Sequence, residues 1–214
     1  MKKNALLIAI AVPLVAGALS GCFGMAAMGV GTAVFSAVDR RTTGTQVEDE
    51  GIELRVGNRV SERFGDKVHV DVTSYNRNVL LTGEVTDEKA RVEIEKIALG
   101  VANTRGVTNE LQVAGGSSLS SRASDATITG KVKARFLDAN KFNVLSVKVV
   151  TEASVVYLLG IVTEQEAADA VEIARTTGGV RKVVKVFEYC QPADPVCAPR
   201  SKPKAEEPKK EEKK

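Results

Sequence analysis

VYLLGIVTEQEAADAVEIA, residues 156–174, decides the fold. An apolar run reaches Gly160, then a Val-Thr pair, then acids, then apolar residues at helical spacing. That order reads as a buried strand leading into a capped amphipathic helix. Residues 79–98, VLLTGEVTDEKARVEIEKIA, follow the same order. Gly83 recurs as Gly160, Val85 as Val162, Thr86 as Thr163 and Ala90 as Ala167, each 77 residues on. Upstream of each copy lies a second echo. Ile52, Val56, Val60 and Phe64 fall every four residues, as do Ile128, Val132 and Phe136, with Ile52 and Ile128 76 residues apart. A self-similar unit this long means two tandem copies of one small domain rather than a solenoid.

Each copy reads α-β-β-α-β. In the first, residues 47–114, the Ile52/Val56/Val60/Phe64 stripe gives a helix with one buried edge, ended by Gly65-Asp66. His69 to Thr73 alternates as a strand, Asn76-Arg77-Asn78 reads as a turn, and Val79 to Val85 completes a hairpin. Thr86 is expected to cap a helix whose buried stripe is Ala90, Ile94, Ile97, Ala98 and Val101, and Val107 to Val113 is the last strand. Residues 115–124 are Gly/Ser-rich and read as a linker. In the second copy, residues 125–189, a helix over 125–138 precedes a hairpin of Val147–Thr151 and Val155–Val162 around Glu152-Ala153-Ser154. Thr163 and Glu166 form a capping box, Gly178-Gly179 ends the helix, and Val180 to Tyr189 closes the sheet. The fold class is α+β, with two three-stranded sheets carrying two helices each. Gly83 and Gly160 are expected where the second strand kinks or where a helix packs close.

The chain has 214 residues, no Trp and a net charge of +3. Lys2, Lys3 and a tail whose last fifteen residues hold seven Lys/Arg against four Glu account for that charge. The body between them is slightly acidic, which argues against nucleic acid as a partner. Domains of this size have barely enough core, here built from Val, Ile, Leu and Ala.

Residues 1–21 combine Lys2-Lys3 with an apolar run from Ala5 to Ala18, the design of a secretory signal. Leu19-Ser20-Gly21-Cys22 resembles the bacterial lipobox at all four positions. That resemblance implies acylation of the Cys22 thiol, cleavage before it, and a lipid-anchored tether over 22–46. Phe23, rather than Asp, after the cysteine favours the outer membrane, with the protein facing the periplasm. The alternatives are an ordinary signal peptide, or a transmembrane helix from Ala5 through Val38. The tail, residues 190–214, is rich in Pro, Lys and Glu and reads as disordered. Within it, Cys190 and Cys197 form either a small loop disulfide or two free thiols.

Catalytic patterns do not stand out. His69 is the one histidine and sits in a strand, where a hydrogen-bonded structural role is expected. No Cys/His spacing suits zinc and no Gly-rich loop opens a helix. The reading is a non-enzyme without cofactor or metal. One surface draws interest, the first helix of the second copy. Leu137 follows Phe136 by about 100° and should face away from the buried stripe, among Lys131, Lys133 and Arg135. It either packs against the first domain or meets an anionic surface. The first-domain equivalent is read as Gly65, which offers no apolar side chain.

The Gly-x-Val-Thr core with its later Ala, and the Gly-Val before each last strand, resemble the BON domain family. Two such units behind a lipobox resemble the dual BON-domain lipoproteins of the Gram-negative outer membrane. Gly44 to Asp49, the run VLLTGEV and Asn109-Glu110 also match, and the resemblance covers residues 1–189. It implies binding to anionic phospholipid through the second domain's first helix, with Ile128, Lys131, Val132, Lys133, Arg135 and Leu137 as contacts. It also implies a role in outer-membrane integrity at the division site, near cell-wall proteins and the β-barrel assembly machinery. Where such lipoproteins carry a Trp at the start of this helix, this chain has Thr127. Trp prefers the membrane interface, so binding here would be weaker or shifted. The rival reading is a periplasmic adaptor for envelope-assembly or cell-wall proteins that does not itself bind lipid.

Overall fold

The computed structural model describes residues 39–115 and 119–197. Cys22, the signal segment, the tether up to residue 38 and the tail from residue 198 lie outside the described residues.

The first domain opens with α1 (Thr43–Phe64), which starts four residues before the expected boundary because the Thr42 side chain accepts the Thr45 N–H and caps it. Gly65, at φ 57°, ends it. The antiparallel strands β1 (His69–Tyr75) and β2 (Asn78–Val85) follow. Their turn is Asn76-Arg77 alone, both at positive φ (50° and 67°), the two-residue turn that matches strand twist. Helix α2 (Glu88–Leu99) is capped by Asp87, not Thr86, since the Asp87 carboxylate accepts the Ala90 N–H at 2.8 Å. The expected last strand is two short pieces, β3 (Gly106–Asn109) and β4 (Gln112–Val113), both parallel to β2. The break comes where the Asn109 side chain accepts the Leu111 N–H and Leu111 turns into the core.

The second domain repeats this order: α3 (Leu119–Ala139), β5 (Val147–Glu152), β6 (Val155–Val162), α4 (Glu164–Arg175) and β7 (Lys182–Tyr189). Helix α3 takes up half of the expected linker. Arg122 and Ala123 are good helix formers and Ser is tolerated there. Strand β6 lies between β5, antiparallel, and β7, parallel. The turn is Ala153-Ser154, at φ 49° and 62°, which leaves Glu152 as the last residue of β5 rather than a turn residue. The expected capping box is present, with Glu166 bonding the Thr163 N–H and Thr163 the Glu166 N–H.

Each domain packs its two helices on one face of its sheet. Ile52, Val56 and Val60 meet Val79, Leu81 and Val85 in the first, and Ile128, Val132 and Phe136 meet Val156, Leu158 and Val162 in the second. The alternate residues of the central strands form a third core between the domains. Leu80 and Tyr75 pack there against Val155, Tyr157 and Leu159, so the sheets lie back to back. Strands β2 and β6 are buried on both faces, as their near-continuous apolar runs require. Polar contacts rim this interface. Asn76 and Asn78 donate to Glu188, and Lys148 pairs with Glu53. Arg40 donates to the Ile161 carbonyl and to both oxygens of Glu166.

Gly83 and Gly160 mark close approaches of backbone to backbone rather than contacts with the α-helices. A Cβ on Gly83 would stand 2.1 Å from the His69 carbonyl oxygen, and one on Gly160 2.3 Å from that of Ser146. Gly83 lets the backbone of β1 approach the sheet's central strand, and Gly160 does the same for Ser146, the end of the short 3-10 turn just before β5.

Candidate functional site

Helix α3 is held by its buried edge and by polar anchors. Asp125, 4% exposed, accepts the N–H groups of Ala153 and Ser154 and so fixes the β5–β6 turn. Asp49 does the same in the first domain, accepting from Asn76 N, Arg77 N and the Ser74 hydroxyl, and pairing with Arg41. This paired role is absent from the sequence reading. Its signal was an acid three residues before the first apolar position of each stripe, at the same 76-residue offset.

The six expected lipid contacts do not share a face. Ile128 and Val132 are core residues, 3% and 0% exposed, and cannot touch a membrane while the domain is folded. Arg135 leans the other way and donates to the Ile173 carbonyl and the hydroxyls of Thr176 and Thr177, holding the end of α4. A cation that satisfies helix-terminal acceptors is structural here. Leu137 is 64% exposed, on the outer side of the helix and clear of the first domain's core. By helical geometry Lys133 lies about 40° from Leu137 and Lys131 about 120°. Neither pairs with a carboxylate among the described residues. Ala126, Gly130 and Ala134 lie on the same outer strip, and of these four residues Leu137 alone has a large apolar side chain. Thr127 spends its hydroxyl on the Ala123 carbonyl, 2.9 Å away. The 76-residue offset places Ser61, not Gly65, opposite Leu137. Ser61 is exposed and polar, so the first domain still lacks an equivalent.

No helix among the described residues is long and apolar enough to cross a membrane. The structure joins Cys190 to Cys197, with Cα atoms 6.2 Å apart, just past the end of β7. His69 sits in β1 with Nε2 3.4 Å from Asp71.

Comparison with known proteins fits this architecture. The BON domain model matches twice, over residues 48–115 and 124–191. The chain is 37% identical to the outer membrane lipoprotein DolP of Haemophilus influenzae, over 80% of this chain and 90% of that protein. It is 33% identical to a 21 kDa hemolysin of Actinobacillus pleuropneumoniae, over 72% and 80%. It is 30% identical to the osmotically-inducible protein Y of Escherichia coli, over 65% and 72%. Two family matches that coincide with the two αββαβ units, each built on the same glycine and the same turn-holding aspartate, place the chain in the BON domain family, with the domain present twice.

Proposed function

We propose that this protein is an outer-membrane lipoprotein, anchored through acylated Cys22, whose second BON domain engages anionic phospholipid through the outer face of α3. It carries no catalysis in this reading, and it supports outer-membrane integrity at the division site. The supporting observation is Leu137, a large apolar side chain 64% exposed, with Lys133 beside it and Lys131 further round the helix, neither paired with a carboxylate among the described residues. An exposed Leu flanked by cations suits an interface that is apolar below and negative above: the side chain inserts and each Lys gains about 1 kcal/mol near the headgroups. The lipobox and the similarity to a named outer membrane lipoprotein support the address. Arg135 is left out of the contact set, since its three hydrogen bonds within the domain would have to break.

NMR titration of a soluble form lacking residues 1–38, with micelles carrying phosphatidylglycerol, tests the reading. Shifts centred on residues 126–141 are expected, and zwitterionic micelles should leave them in place. Shifts confined to the first domain, or absent, would favour the adaptor reading, in which lipid contact comes from the acyl group alone.

A further inference from the structure

The interdomain core ends in a polar cluster that the lipid reading does not use. His69 of β1, Glu84 of β2 and Glu152 of β5 each bring a ligand-type atom within 4.8 Å of the others. Two of the three are deeply buried: Glu84 and Glu152 are each 7% exposed. Their oxygens Glu84 Oε2 and Glu152 Oε1 are buried with no hydrogen-bond donor. A buried carboxylate oxygen without a partner has lost its hydration with nothing in exchange, so such atoms call for a proton or a cation.

Local charge points the same way. Asp71 and Asp125 also act on Glu152, while Arg122 opposes them. Arg122 and Lys67 line the cleft of about 280 Å3 that leads in past His69 and Glu84. Even with Arg122 at hand, the two oxygens keep no donor.

We propose that His69, Glu84 and Glu152 bind one divalent transition-metal cation of the zinc class between the two BON domains. One imidazole with two carboxylates is a donor set that zinc accepts, with water completing a tetrahedron. Donors around zinc stand about 3.4 Å apart, so the three ligand atoms, now within 4.8 Å of one another, would have to draw closer on binding. Gly83 contributes by letting the His69 backbone approach the strand that carries Glu84. Because Glu152 comes from the second domain and the other two ligands from the first, the ion would fasten the two sheets together at this end.

The test uses the full chain in detergent, purified without a polyhistidine tag and stripped of metal, then titrated with ZnCl2 by calorimetry. The molecule has one histidine, so its imidazole NMR signals report the site directly. One-to-one binding, displaced His69 imidazole signals and a raised unfolding temperature are expected. His69→Gln and Glu152→Gln should each weaken binding at least about tenfold, since even outer-shell changes cost that much. Glu152→Gln removes a buried charge without changing shape, and circular dichroism checks its fold. Zinc binding that leaves the wild-type imidazole signals unmoved, or that persists unchanged in folded Glu152→Gln, would overturn the proposal. So would the absence of binding.

Discussion

Replacing Gly83 by alanine tests how the glycine that recurs in each repeat shapes its sheet. The new Cβ would sit 2.1 Å from the His69 carbonyl oxygen, 3.0 Å from its carbon and 3.4 Å from the Val70 Cα. Ordinary carbon–oxygen contacts begin near about 3.3 Å, so β1 and β2 would have to part by about 1 Å. The obstacles are backbone atoms of a paired strand and cannot rotate away. Overpacking of this kind costs about 1–3 kcal/mol. Gly83 also has φ 110°, a conformation that adds about 1–3 kcal/mol for a residue with a side chain. Gly83→Ala should therefore cost about 4 kcal/mol, a large part of the roughly 5–15 kcal/mol that holds a typical domain. Gly160→Ala meets the Ser146 carbonyl at 2.3 Å but carries no positive φ, so about 1–3 kcal/mol is expected. Urea unfolding of the soluble form, followed by circular dichroism, measures both. An unchanged midpoint for Gly83→Ala would refute the close-approach argument. A larger cost for Gly160→Ala would refute the backbone-strain part.

Three further outcomes are expected. Asp49→Asn should destabilise more than Asp125→Asn, because Asp49 serves Ser74 and Arg41 as well as the turn, and each bond to a buried charge is worth about 1.5–3 kcal/mol; equal urea midpoints would contradict this. For Glu166, burial raises the carboxyl's pKa, but hydrogen bonds from Arg40 and the Thr163 N–H outweigh burial and hold it below the usual range. A depressed carboxylate lends stability that is present above its unfolded pKa of about 4.3 and lost as pH falls through the folded value. Arg40→Ala should thus lose more stability at neutral pH than at about pH 3, and a pH-independent loss would show that the pairing is not electrostatic. Cys22→Ala should release the protein from membranes or leave an uncleaved precursor, and palmitate incorporation that persists in it would rule the anchor out.

The αββαβ order was legible because periodicity and turn chemistry are local. Ile52, Val56 and Val60 lie on one helical face, Asn76-Arg77 tolerates positive φ, and Thr163 and Glu166 need only each other to cap α4. What escaped depends on partners distant in the chain. His69 meets Glu152 only because two sheets pack back to back, although the apolar run from Val155 to Val162 already called for cover on both faces. Arg135 looked like a surface cation because its acceptors lie at and just past the end of α4, about forty residues on. Ile128 and Val132 showed their burial in their own spacing, and only the resemblance set them among lipid contacts. Asp87 took the cap expected of Thr86 because its carboxylate reaches the Ala90 N–H, while the Thr86 hydroxyl donates to Asp87 instead.

The lipid-facing role of α3 is tested most directly by Leu137→Glu in vesicle co-sedimentation. Leu137 lies off the buried stripe, so the fold should survive, which circular dichroism checks. Inserting a Leu side chain is worth about 1.5–3 kcal/mol, and the new carboxylate adds repulsion from an anionic surface. Wild-type soluble form should pellet with phosphatidylglycerol vesicles and less so as salt rises, because cation–headgroup attraction is screened. The folded variant should remain in the supernatant. If folded Leu137→Glu pellets as well as wild type, α3 is not the membrane face.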